Sequence, residues 1–198
     1  MRPLTYLLLV FATTVAWGGE VIESHIEHNG NRYTIHMVMH LNVDATTVYD
    51  TLTDYANFTQ LDKSILESTL VHAAHPHYQV RVVTNSCAII FCKEMVIFEN
   101  VKELPGGFVQ VELDPEQSDF HYGRMLWRIT PHENGTRVSF DGELEPSFWV
   151  PPLLGPALFK SGFLKETRNM IEGVERIATD PKTSAAADIH STTPKVVP

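Results

Sequence analysis

Between Val21 and Val43 the chain alternates. In VIESHIEHNGNRYTIHMVMHLNV, Tyr33, Ile35, Met37, Met39 and Leu41 take every second position, with Thr34, His36, Val38 and His40 between them. A period of two marks a strand with one apolar face. Asn29-Gly30, set between two such runs, predicts a hairpin. The period then changes. In DATTVYDTLTDYANFTQLD, Val48 and Leu52 share one helical face and Asp44 stands before them as an N-cap. Asp54 ends that helix, and a second short one is expected from Tyr55 to Leu61. ILESTLVHA reads as a strand, AHPH as a turn, and YQVRVVTNS and KEMVIFENVKEL as two more strands. Pro105-Gly106-Gly107 marks a turn, FVQVELD a strand and PEQSDF a loop. HYGRMLWRIT and TRVSFDGELE are expected to form a hairpin around Glu133-Asn134-Gly135.

Beyond Pro156 the spacing turns helical again. Leu158, Phe159, Phe163, Leu164, Met170, Ile171, Val174 and Ile177 recur on one face, while Lys160, Lys165, Glu166, Arg168, Glu172 and Glu175 fill much of the other. This is one long amphipathic helix, and prolines suit its first turn. Residues 179–198 lack periodicity and large side chains and read as a disordered tail. Strands, two short helices, a run of strands and one long helix make an α+β order. A curved antiparallel sheet wrapped around the C-terminal helix buries one sheet face and leaves room for an apolar ligand between the two.

Composition restricts the partners. The chain has 198 residues, 43% hydrophobic and 20% charged, which suits one globular domain. A net charge of -9 without a Lys/Arg cluster argues against nucleic acid. It also argues against standing adhesion to anionic lipid headgroups. MRPLTYLLLVFATTVAWGGE opens with Arg2, runs apolar from Leu4 to Ala16 and ends in small residues, the layout of a signal peptide over residues 1–18. The run is shorter than the roughly 20 residues of a membrane span. An exported protein is expected, periplasmic or secreted.

Export bears on SCAIIFCKE, whose Cys87 and Cys92 are the only cysteines. Cys-x4-Cys offers zinc two ligands where structural sites use four, and it is not the redox Cys-x-x-Cys spacing. An oxidising compartment favours a disulfide. Five extended steps cover about 16 Å, whereas bridged Cα atoms lie about 4.4–6.8 Å apart. The chain must therefore reverse between Cys87 and Cys92, as a stapled hairpin whose tip carries Ile89, Ile90 and Phe91. These three are candidates for a cavity mouth, with core packing and membrane contact as alternatives. The stretch FWVPPLLGPALF, from Phe148 to Phe159, is a candidate second wall of the same entrance.

Other chemistry is sparse. His36 and His40 on a strand lie roughly 13 Å apart, too far to share an ion. His72, His75 and His77 crowd a turn and read as solvated side chains. Ser139 has no Gly-x-Ser-x-Gly elbow around it, and no phosphate-binding glycine loop is present. An acid or base for a cyclase or lyase would come from Asp119, Tyr122, Arg124 or Glu143, which otherwise read as outward strand residues. The candidate cavity lining is Tyr33, Met37, Met39, Trp127, Phe140, Phe159 and Phe163. Methionine in particular adapts to a flexible ligand.

VDATTVYDTLTDYANFTQLDKSILESTLV resembles the opening of the START-like superfamily (SRPBCC, Bet v 1-like, helix-grip), in its coenzyme Q-binding and polyketide cyclase/dehydrase branch. SDFHYGRMLWRITPHENGTRVSF and LEPSFWVPPLLGPALFK carry the likeness onward, so that it spans residues 33–178 of a domain placed at 20–178. The resemblance implies a sheet of about seven strands gripping the C-terminal helix around an apolar cavity. It also implies binding of lipids, sterols, quinones or polyketides, with some members enzymes and many only carriers. A signal peptide and a disulfide set this chain apart from cytosolic and mitochondrial members. The expected function is binding, and carriage, of a lipid-like or quinone-like molecule without a cofactor, metal or catalytic residue. Transient membrane contact is compatible with it, and a protein partner is left open. The alternatives are a protein-interaction module built on the apolar tip and a cyclase/dehydrase-type enzyme.

Overall fold

The computed structural model describes residues 18–88, 91–150 and 153–180. Nearly all of the expected signal peptide and tail, and the tip residues Ile89 and Ile90, lie outside the described residues. Eight strands form one sheet: β1 (Glu20–Asn29), β2 (Arg32–Leu41), β3 (Ile65–Ala74), β4 (His77–Ala88), β5 (Phe91–Leu104), β6 (Phe108–Leu113), β7 (Phe120–His132) and β8 (Gly135–Pro146). Their order across the sheet is β1-β2-β8-β7-β6-β5-β4-β3, and every neighbouring pair is antiparallel. Helix α1 (Ala45–Leu52) and a 3-10 turn (Phe58–Gln60) join β2 to β3, and α2 (Gly155–Thr179) closes the chain. This is the expected α+β helix-grip arrangement. The sheet has one strand more than the seven implied, because β1 pairs along the outer side of β2.

Local chemistry accounts for the elements. Gly30 adopts φ +60° in the β1–β2 turn, a backbone that glycine tolerates without cost. Asp44 caps α1 through Oδ1, which accepts from the amides of Thr46 and Thr47 at 3.1 and 3.0 Å. Cys87 and Cys92 face each other across β4 and β5 and form a disulfide with Cα atoms 4.0 Å apart. His36 and His40 both lie on β2, as the alternation required.

One sheet face and α2 enclose the core. Tyr33, Ile35, Met37, Met39 and Leu41 of β2, Val138 and Phe140 of β8, Val80 and Val82 of β4, and Ile171 and Val174 of α2 are all buried. Two glutamates fasten the helix. Glu175 accepts from the amides of Gly19 and Asn42 at 2.7 and 3.0 Å, and Glu166 accepts from the hydroxyls of Ser64 and Ser86 at 2.6 and 3.2 Å. At Gly173 a Cβ would collide with the Leu61 carbonyl, so α2 can lie against the segment after the 3-10 turn only with glycine there.

Candidate ligand cavity

Beneath α2, between β4–β7 and the connection from α1 to β3, lies a cavity of about 260 Å³. Its sheet wall is built from Val82 and Thr84 on β4, Ile97, Glu99 and Val101 on β5, Val109 and Val111 on β6, and Trp127 and Ile129 on β7. Glu166 and Met170 of α2 form the roof, and Leu52, Tyr55, Phe58, Leu61, Asp62, Ser64 and Ile65 close the side. The sheet wall is mostly β-branched. Such residues favour strands, but their short side chains do not reach the helix.

The candidate lining divides. Trp127 lines the cavity. Tyr33, Met37, Met39 and Phe140 are buried in the core beside it and do not line it. Phe159 and Phe163, on the first turns of α2, also pack away from it: Phe159 stacks on Tyr33 at 3.9 Å between ring centroids, and Phe163 lies 5.5 Å from Phe140. The expected mouth at Ile89, Ile90 and Phe91 falls on or beside residues outside the described ones. The acid–base candidates stand elsewhere. Asp119 accepts from the Val96 amide at 2.8 Å and completes the backbone bonding of β5. Tyr122 lies under the Arg32 guanidinium, Arg124 pairs with Glu112 at 2.9 Å, and Glu143 is exposed.

The polar groups inside the cavity are different ones. Glu99 projects between Ile97 and Val101 and is partly buried. Burial pushes its carboxyl up to about 7. Asp62 is 8% exposed. Its Oδ1 accepts from the Ser64 amide at 2.8 Å, while Oδ2 is buried and meets no hydrogen-bond donor. Burial disfavours the Asp62 anion, but the adjoining Glu166 carboxyl, the Ser64 amide and the Asn169 side chain outweigh it and hold its pKa low. Glu166 is shifted the other way, raised by burial and by Asp62. At the side wall the Tyr55 hydroxyl donates to Glu103 at 2.9 Å, and burial with the Glu103 charge raises its pKa steeply.

Sequence periodicity contained a signal for Glu99. Ile97, Glu99 and Val101 alternate on one face of β5, which makes Glu99 a lone acid on an apolar stripe. Phe98, on the opposite face, is buried as well, because the loop at Asp114 and Ser118 bonds to its backbone. That second covered face hides the alternation. Asp62 and Glu166 are over 100 residues apart, and nothing local pairs them.

The histidines are scattered. His36 bonds Asp141 at 2.6 Å, and the His40 ring lies 6.0 Å from that of His132. His72 and His77 border an open polar depression of about 490 Å³ with Gln79, Asn100, Lys102 and Gln110, lined mostly by polar side chains. Among the described residues no three His, Cys, Asp or Glu side chains are grouped to hold a metal. Among the same residues no helix is long and apolar enough to cross a membrane.

Solved structures share this architecture. A START superfamily protein from Mycobacterium smegmatis aligns with a TM-score of 0.58 at 16% identity, over 72% of this chain and 94% of its own. A STAR-related lipid transfer protein from Xanthomonas axonopodis aligns at 0.60 and 14%, over 82% and 99%. The Zhui aromatase/cyclase from a Streptomyces species aligns at 0.60 and 8%, over 74% and 93%. At these identities the likeness is one of fold. No curated protein matches the chain in sequence. The family model for polyketide cyclase / dehydrase and lipid transport matches residues 32–179, from β2 to the end of α2, and the chain belongs to that family.

Proposed function

We propose that this protein is exported and binds a small hydrophobic molecule between its sheet and α2, carrying it through an aqueous compartment. The observation that carries this reading is the cavity itself, apolar on most sides with a few convergent polar groups. At about 260 Å³ it sits just below the ~300–1,000 Å³ of drug-sized ligand sites, which favours a compact ligand over a two-chain lipid. Membership of the polyketide cyclase / dehydrase and lipid transport family and the fold shared with a lipid transfer protein support the ligand class. The Cys87–Cys92 disulfide and the apolar leader support export. Trp149 and Leu153, 77% and 95% exposed just before α2, supply apolar surface for transient contact with a bilayer during loading. Native mass spectrometry of the protein purified without detergent tests the binding reading. A stoichiometric hydrophobic adduct is expected, and a protein that neither carries nor takes up any apolar probe would refute it.

One observation favours a second reading. A carboxyl held near neutrality inside an apolar cavity can accept and return a proton, as a cyclase or dehydrase requires. Glu99, rather than Asp119, Tyr122 or Glu143, is then the acid–base group. Turnover of a poly-β-ketone mimic by the wild type and not by Glu99→Gln would establish it. No turnover by either protein would leave the carrier.

A further inference from the structure

Among the described residues the ionisable side chains lining the cavity are Tyr55, Asp62, Glu99 and Glu166, and no Lys, Arg or His joins them. They arrive from four separate places: the segment after α1, the segment after the 3-10 turn, β5 and α2. The acidity thus belongs to the cavity as a whole and not to one acidic loop. The bonding of these groups is uneven. Tyr55 spends its proton on Glu103, and Glu166 accepts from the two serine hydroxyls. Asp62 Oδ2 is buried without a donor, while Glu99, partly buried on the sheet wall, is shown with no hydrogen bond or ion pair to a side chain of the described residues. A buried acceptor without a donor is costly to leave unpaired. The cavity therefore offers acceptors on two walls and, among the described residues, no cationic group to receive an anion.

Building on the carrier reading, we propose that the ligand is a compact apolar molecule with a hydrogen-bond-donating head, a hydroxyl or a protonated amine, and that the cavity rejects carboxylate-headed amphiphiles of the same size. A donor head satisfies Asp62 Oδ2 or Glu99. A carboxylate head would sit beside like charge in a poorly solvated space and would leave those acceptors unpaired.

Titration calorimetry of the purified protein at pH 8 with 1-decanol, decylamine and decanoate, each below its aggregation limit, tests this. All three have ten carbons, and because the carboxyl carbon belongs to decanoate's head its alkyl tail is one methylene shorter, a difference of roughly fourfold that is smaller than the effect sought. Decanol, decylamine or both are expected to bind, with decanoate weaker by roughly tenfold or more. A preference for the amine over the alcohol would identify the charged donor, and the reverse the neutral one. Glu99→Gln is expected to close most of the gap by strengthening decanoate. Asp62→Asn should do the same and keeps an acceptor for the Ser64 amide; if it fails to fold, Glu99→Gln still decides. Decanoate binding with less than that discrimination overturns the inference and leaves the carrier reading standing. Failure of all three probes to bind overturns both.

Discussion

Helix α2 crosses a single sheet, yet the two halves of that sheet meet it differently. Under β2 and β8 the space is full: Tyr33 stacks on Phe159, Phe159 and Phe163 lie 6.1 Å apart, and Phe163 reaches Phe140. Under β4, β5 and β6 the facing residues are Val82, Ile97, Val101, Val109 and Val111, and the space is hollow. Trp127 on β7 forms the partition, with one side toward Phe140 at 4.5 Å and the other toward the cavity. Large aromatic side chains are what fill a cavity. The place to look for one is where a long helix passes over short, β-branched residues.

The largest effect is expected in the full half. Phe140 is 1% exposed and in ring contact with Trp127 and Phe163. Phe140→Ala should cost about 3–5 kcal/mol, read as a lower denaturation midpoint at unchanged slope. A loss under about 1 kcal/mol would mean that this half is no better packed than the other.

The hollow half should reveal itself through pH. Glu99 has a folded pKa raised from its ordinary 4.5 to about 7. Between those values the folded state holds a proton that the unfolded chain has released. Stability should therefore fall as pH rises through this window, level off above it, and lose about 3 kcal/mol in total. Glu99→Gln should flatten that part of the profile and be the more stable protein at pH 8. Parallel profiles for the two proteins would place Glu99 in water rather than in the cavity.

The same contrast explains what could be read from the residues alone. The Asn29-Gly30 turn, the Asp44 cap and the Cys87–Cys92 rung are local, each set by a few neighbouring side chains, and each stands where its chemistry predicts. The helix-grip order followed from alternation and from the family likeness. β1 was legible as a strand, and only the strand count borrowed from the likeness omitted it. The lining was not legible, because alternation tells which side chains face inward but not how far the opposing surface stands from them. Tyr33, Met37, Met39, Phe140, Phe159 and Phe163 do pack in or against the core, and none of them borders the cavity. Asp62 and Glu166 converge only through the docking of α2.

One substitution made in both halves sharpens the comparison further. Val138 on β8 is 0% exposed and surrounded by core. Val138→Phe should cost about 1–3 kcal/mol, the usual penalty of forcing extra atoms into a close-packed interior.

Val111→Phe should have the smallest effect on stability and a large one on binding. Val111 is buried by surface, yet its side chain borders the 260 Å³ cavity, so an added ring has somewhere to go. Filling a cavity commonly stabilises by roughly 0.5–2 kcal/mol, and strain in placing the ring would offset part of that, so a change near zero or slightly favourable is expected. The ring would occupy the volume needed by a ligand, and decanol or decylamine binding should vanish in a protein that melts at or above the wild-type temperature. The pairing of these two outcomes distinguishes a ligand cavity from a packing defect. In a defect the stabilisation would appear with no binding to lose; in a site elsewhere on the molecule the binding would survive the ring.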